Sequence, residues 1–284
     1  AAHAGYDSGE LRNVAVIMPG DGCFAGYGWM MLESLFIALS NRGFRGLAIS
    51  SNNIALLDET VIAGAISVIY YRGLEKMWNK KRSVPLVCIN SYGYPIEGVY
   101  EVSSDDGQGI ALAMNLLYRK GHRRIGMISH IFDMENSRNS MIRVRSFESF
   151  IKSHSDCSGI FRNSMMSSRF LDTVMEVVRS GVTAIIAAGE SLAAPVNHIL
   201  STCGIRVPED IAVVMYDDFS FVSRVLELRM TAVRQPFCDL VTYAVRILLN
   251  RMEDRQRSTM VQIIQPRLMI RDSTKTTQTR KHPK

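Results

Sequence analysis

The 284-residue chain is poor in the features that announce common chemistries. Its five cysteines, Cys23, Cys88, Cys157, Cys203 and Cys238, are scattered, odd in number and free of any C-x-x-C pair. That spacing argues against a disulfide framework or a thiolate zinc site and fits a reducing compartment. The six histidines form neither H-x-x-x-H nor H-x-H, so no metal ligand is assigned. There is no G-x-x-x-x-G-K-[ST] loop, no G-x-S-x-G elbow, and no G-x-G-x-x-G after a strand, so no catalytic residue and no cofactor is assigned either. No apolar run reaches the roughly 18 to 20 residues that span a bilayer. The opening "AAHAGYDSGELRN" has no basic segment followed by an apolar one, as a signal peptide would. The expectation is a cytoplasmic protein without a membrane partner.

What is present is core material. Hydrophobic residues make up 47% of the chain and charged residues 21%, a globular balance. The net charge of +6 owes much to Lys275, Arg280, Lys281 and Lys284 in the polar tail, so it does not mark the body as a nucleic-acid surface. Short apolar runs alternate with longer amphipathic ones. "NVAVIMP", "GLAIS", "AISVIYY", "VPLVCIN", "RRIGMIS", "TAIIAAG" and "DIAVVMYDD" read as strands. "GWMMLESLFIALSNRGF", "DDGQGIALAMNLLYRKG", "MIRVRSFESFIKSH", "TVMEVVRSG" and "SLAAPVNHILSTCG" read as helices. The second of these helices starts acidic and ends basic, which suits the helix dipole, and Gly121 stops it. Strands separated by helices imply βαβ units and a mostly parallel sheet. Two successive sets of such units predict two doubly wound lobes.

In open parallel sheets, ligands sit beyond the carboxyl ends of the strands. Asp217 and Asp218 follow "DIAVVMY" directly, which places them there. Two readings of Asp217 stand. It is a solvated or helix-capping residue, or it accepts hydrogen bonds from ligand hydroxyls, for which a carboxylate is suited. Asp218 reads as the cap of the following segment.

Several motifs then converge. "VSSDDGQGIALAMNLLYRKGHRRIGMIS" (102–129), "RVRSF" (143–147), "VPEDIAVVMYDD" (207–218), "MTAVRQP" (230–236) and "PRLMIRDST" (266–274) occur in the order and spacing of one family. The chain resembles the effector-binding core of the LacI/GalR transcriptional regulators. The resemblance covers about residues 13 to 274. It implies an α/β periplasmic-binding-protein-like type I fold with two doubly wound parallel-sheet lobes. The lobes are expected at 13–102 plus 236–258 and at 103–235 plus 259–274, with flexible ends at 1–12 and 275–284.

The resemblance also implies site residues for an interlobe cleft. Asp217 takes the effector-binding aspartate's place, and Arg143 that of the ligand-gripping arginine, with Arg145 the competitor if the register slips. Asn90 stands where the family often has Asp, and Glu190 where it usually has Asp. Cys23 and Phe24 follow the first strand at ring-contacting positions, and Gln235 and Phe237 lie in the crossover after "TAV". Tyr71 joins the aromatic candidates, or simply caps its strand. Asn90, Gln235 and Glu190 have the alternative task of satisfying backbone groups at strand ends. Departures are plain: "GDGCFAGYG" replaces the family's usual stretch after the first strand, and Ser146 replaces a glycine.

The resulting expectation is a homodimeric, non-enzymatic sensor of a small sugar-like effector. Helix 28–43 and segment 54–64 are candidates for the dimer surface, with Trp29 either core or part of that surface. Operator DNA would be reached only through a headpiece outside this chain, which enters its first strand by residue 13. A secreted solute-binding protein is the second reading and an α/β enzyme the third.

Overall fold

The computed structural model of the protein describes residues 12–18, 25–68, 74, 78, 84–91, 99–131, 138–164, 169–189, 191–218, 228–253 and 261–275. It divides into two compact units, the first made of residues 1–103 and 237–262, the second of 104–236 and 263–284.

In unit 1 the strands are β1 (Arg12–Met18), β2 (Phe44–Ser50), β3 (Gly64–Ser67), β4 (Leu86–Ile89) and β5 (Val99–Ser104). A further strand, β11 (Val261–Ile264), joins the edge, giving the order β11-β5-β4-β3-β1-β2. The β1–β2, β1–β3, β3–β4 and β4–β5 pairs are all parallel. Helix α1 (Ala25–Ser40) connects β1 to β2, and only a 3-10 segment, Ser51–Glu59, fits between β2 and β3. Ile17, Ile54, Leu57, Leu74, Trp78 and Leu86 share one of its cores. Cys88 lies buried among them, where burial first and the nearby Glu101 second push its thiol far up; it is inert packing.

In unit 2 the strands are β6 (Arg124–Ser129), β7 (Ser158–Asn163), β8 (Ala184–Ala187), β9 (Ala212–Tyr216) and β10 (Thr231–Arg234), with β12 (Arg267–Met269) at the edge. Their order, β12-β10-β9-β8-β6-β7, repeats that of unit 1. Four pairs are parallel and β12 runs antiparallel to β10. The helices are α2 (Asp106–Arg119), α3 (Arg138–Ser153), α4 (Phe170–Arg179) and α5 (Ala193–Thr202); α6 (Phe237–Glu253) belongs to unit 1.

Local chemistry accounts for the ends of α2. Asp105 caps its start by accepting the Gln108 N–H at 2.8 Å. Gly121, at φ 91°, turns the chain out of it, and the His122 N–H returns to the Leu117 carbonyl at 3.0 Å. The structure adds strands that periodicity does not announce: β5, β7, β10, β11 and β12. In β5, "VYEVSS", every residue is buried, including Glu101, Ser103 and Ser104, so no apolar run marks it.

Candidate functional site

Both units place one polar residue directly after their fourth strand. In unit 1 this is Asn90, after β4; in unit 2 it is Asp217, after β9. Each donates its backbone N–H to the adjacent strand at 2.9 Å, Asn90 to the Val102 carbonyl and Asp217 to the Val233 carbonyl. Each then turns with positive φ, 53° and 72°. Among the described residues these are the only non-glycine positions that do so. Asn and Asp visit this region more readily than most residues, yet such conformations cost about 1–3 kcal/mol and cluster at ligand clamps. Both side chains are buried, at 2% and 4% exposure.

In unit 1, Asn90 Nδ2 donates to the Tyr27 hydroxyl at 2.8 Å. Tyr27 lies near the start of α1, and its hydroxyl reaches toward the Val68 carbonyl at 3.5 Å. The edge of one ring meets the face of the other between Tyr27 and Phe237, the first residue of α6, with centroids 5.5 Å apart. Strand end, α1 and α6 thus converge on a neutral, aromatic-backed amide.

In unit 2, Asp217 Oδ1 accepts from Gln235 Nε2 at 2.6 Å; Gln235 follows β10 and is itself buried. Arg143, on α3, is 7% exposed, while Arg145 is on the exposed face of the same helix. Arg143 Nε and Nη2 both donate to Asp106 Oδ1, at 2.9 and 2.8 Å. The Tyr216 hydroxyl donates to the same oxygen at 2.5 Å, and the guanidinium carbon lies 3.7 Å from the Tyr216 ring centroid. Arg143 Nη1 points to the Ala188 carbonyl just past β8, at 3.4 Å. Arg143 therefore sits across the carboxyl ends of β8 and β9.

Gly109 makes that cluster possible. A Cβ there would fall 2.4 Å from the Tyr216 hydroxyl, so any larger residue would push Tyr216 away from Asp106. Ser146 also has a task of its own, donating to the Gly107 carbonyl at 2.8 Å and tying α3 to the first turn of α2.

The segment that Asp218 was expected to cap, 219–227, lies outside the described residues. Asp218 pairs with Arg234 at 2.5 Å and Arg271 at 2.7 Å, fastening the C-terminal segment to β9 and β10. Burial pushes its pKa up, but the bonds from Arg271 and Arg234 together outweigh burial and hold the carboxyl below its usual range. Cys23, Phe24, Tyr71 and Glu190 lie outside the described residues.

Three partners were not singled out from sequence. Asp106 looks like a second acidic residue at a helix start, and only its neighbour Asp105 caps; the Gly109 three positions on was the available signal. Tyr216 is fully buried inside an apolar strand. His130, just past β6, bonds through its two ring nitrogens to Ser164 Oγ (2.5 Å) and Ser191 Oγ (3.0 Å), and burial lowers its pKa. Among the described residues no cluster of three or more metal-ligating side chains forms, and no helix is long and apolar enough to cross a membrane.

Two sheets of repeated order, each with ligand-competent groups at its strand ends, define a periplasmic-binding-protein-like type I fold. The family model for the periplasmic binding protein-like domain matches residues 114–274, more than half of the chain, and the chain belongs to that family. Its relatives are transcriptional regulators, and its fold is that of the effector-binding cores of LacI family regulators. The arabinose metabolism transcriptional repressor of Geobacillus stearothermophilus is 27% identical over 219 residues, covering 72% of this chain and 56% of the repressor. The transcriptional regulator CelR of Thermobifida fusca is 29% identical over 192 residues, covering 64% and 54%. The chain thus spans about half the length of the curated relatives it matches. The structure of a CelR–cellobiose complex superposes with TM-score 0.78 at 24% identity, covering 93% of this chain and 85% of that one. A LacI family regulator from Enterococcus faecium with bound ribose gives 0.77 at 18%, covering 92% and 98%.

Proposed function

We propose that this chain is the effector-sensing part of a bacterial transcriptional regulator, taking up a small hydroxyl-rich ligand of the sugar class at its strand-end groups. The observation that carries the reading is Asp217: a buried carboxylate, held at positive φ past a central parallel strand and aimed by Gln235. Such a group accepts several hydroxyl donors through charge-assisted bonds. Arg143 stands in the same unit with its Nε–Nη2 edge held by Asp106, and at the strand ends of unit 1 Asn90 and the Phe237 ring offer an amide and an aromatic face. Relatives that are regulators, together with regulators of the same fold whose structures hold cellobiose and ribose, support a sugar-class effector and a non-catalytic role. Binding must favour one conformation of the protein over another, because equal affinity for both shifts nothing.

The experiment is a thermal-shift screen against neutral sugars, sugar phosphates and purines. One class should raise the melting temperature dose-dependently, and Asp217→Ala should abolish that rise while remaining folded. Undiminished stabilisation of the variant would remove Asp217 from the site.

The same reading makes the regulator a cytoplasmic homodimer, with operator DNA bound by a headpiece outside these residues. Support for self-association comes from α1, where Met30 and Ile37, 38% and 56% exposed, stand two turns apart on one face with Trp29, 68% exposed, beside them. Trp29→Glu should convert dimer to monomer in sedimentation; a protein that is monomeric at micromolar concentration before the substitution contradicts the dimer.

A further inference from the structure

The strand-end face of unit 2 holds a cation that is already compensated. A buried guanidinium ordinarily makes a strong receptor for phosphate or carboxylate, because its Nε–Nη2 edge presents two parallel N–H donors to two anionic oxygens. In this protein both donors of that edge are turned to Asp106, whose carboxylate is fully buried. Tyr216 reinforces the arrangement twice, with its hydroxyl on the same Asp106 oxygen and its ring under the guanidinium. The third direction, through Nη1, is toward a backbone carbonyl. Among the described residues of unit 2, the buried charged side chains are Asp106, Arg143, Asp217 and Asp218; Asp218 is compensated by Arg234 and Arg271, which leaves two carboxylates against the one guanidinium of Arg143. An incoming anion would meet an occupied fork and a formal excess of one negative charge. An uncharged polyol meets an acceptor, Asp217, whose orientation is set by Gln235.

We propose that Asp106 is a specificity-determining residue: by holding the bidentate edge of Arg143, it sets this site for uncharged, hydroxyl-rich ligands and against sugar phosphates and sugar acids. Asp106 acts through Arg143 and is a positioning residue. The inference rests on the sensor reading above and narrows its ligand class.

The test has two arms, both on the full chain. In the first, matched pairs are titrated by calorimetry: ribose and ribose 5-phosphate, glucose and glucose 6-phosphate, galactose and galacturonate. Within the pair that binds, the neutral member should bind at least tenfold more tightly; an anionic member that binds as well or better overturns the proposal. If none of the six binds, the sensor reading for these sugars fails, and the second arm still decides the charge argument.

That arm uses inorganic phosphate alone. The wild-type protein should show no phosphate-dependent rise in melting temperature beyond that of a sulfate-free, ionic-strength-matched chloride control. Asp106→Asn, which removes the counter-charge from the Arg143 edge while keeping the side-chain shape, should gain such a rise. Adding Arg143→Met to Asp106→Asn should remove it. Phosphate binding by the wild type that Arg143→Met abolishes, or a folded Asp106→Asn variant that gains none, overturns the proposal. Should Asp106→Asn fail to fold, the wild-type phosphate titration and the ligand pairs carry the decision without it.

Discussion

Units 1 and 2 solve one geometric problem with different chemistry. Their sheets share a strand order, and each fourth strand ends in a residue bonded to the next strand at 2.9 Å and then turned into positive φ. What supports that residue differs. Asn90 leans on Tyr27 and its contact with Phe237, groups without charge. Asp217 leans on Gln235 and follows directly on Tyr216, itself half of the cluster that binds Asp106 to Arg143. Topology determines where a polar group can stand; the side chains around it determine what it can hold.

Removing one partner of the charged cluster should have the largest effect. Asp106→Ala leaves a guanidinium buried without its carboxylate, an expected loss of about 3–5 kcal/mol in urea unfolding. The matching deletion in unit 1, Tyr27→Phe, removes one hydroxyl and should cost about 1 kcal/mol. Equal losses would erase the distinction between charged and neutral support.

The turns themselves should behave alike. A β-branched residue at either position, Asn90→Val or Asp217→Val, should destabilise by about 1–3 kcal/mol because its Cβ resists positive φ. Asn90→Gly should destabilise less than Asn90→Val in thermal melting, since both forfeit the bond to Tyr27 but glycine occupies that region without steric cost. A turn that tolerates valine is not strained, and the equivalence of the two sites then fails.

The smallest effect concerns protons. Burial depresses the pKa of His130, so the folded protein favours the neutral ring while the unfolded chain takes up a proton near pH 6.5. Stability from this source is complete above that pH and is lost as pH falls through the depressed folded value. Melting temperatures at pH 7.5 and 5.5 should therefore differ more for the wild type than for His130→Asn. No difference between the two proteins would show that His130 is not responsible.

Legibility in the sequence followed burial. Strands β4, β8 and β9 are buried along their length and apolar, and they stand out as runs. β5 is equally buried but carries Glu101, Ser103 and Ser104, and β7, "SGIFRN", is a half-exposed edge strand; neither has a run to find. Asp217 was visible because charge closing an apolar strand is conspicuous. Asp106 was not, because its partners lie 37 and 110 residues away and nothing local separates an inward acidic residue from a capping one. The pairing of Asp218 with Arg234 and Arg271 escaped for the same reason.

The division of the chain has a bearing on how it is made. Helix α6 packs on α1 and along β3 and β4, and buries Leu240, Val241, Ala244, Val245, Ile247 and Leu248. Yet it leaves the ribosome only after the main body of unit 2. The first five strands must therefore persist through synthesis of residues 104–236 with an apolar face still waiting for its cover. Domains in general complete themselves from the N-terminus onward during translation. Here that order is interleaved: strands β6 to β10 of unit 2 precede α6 in the chain, and the last segment of unit 2 follows it.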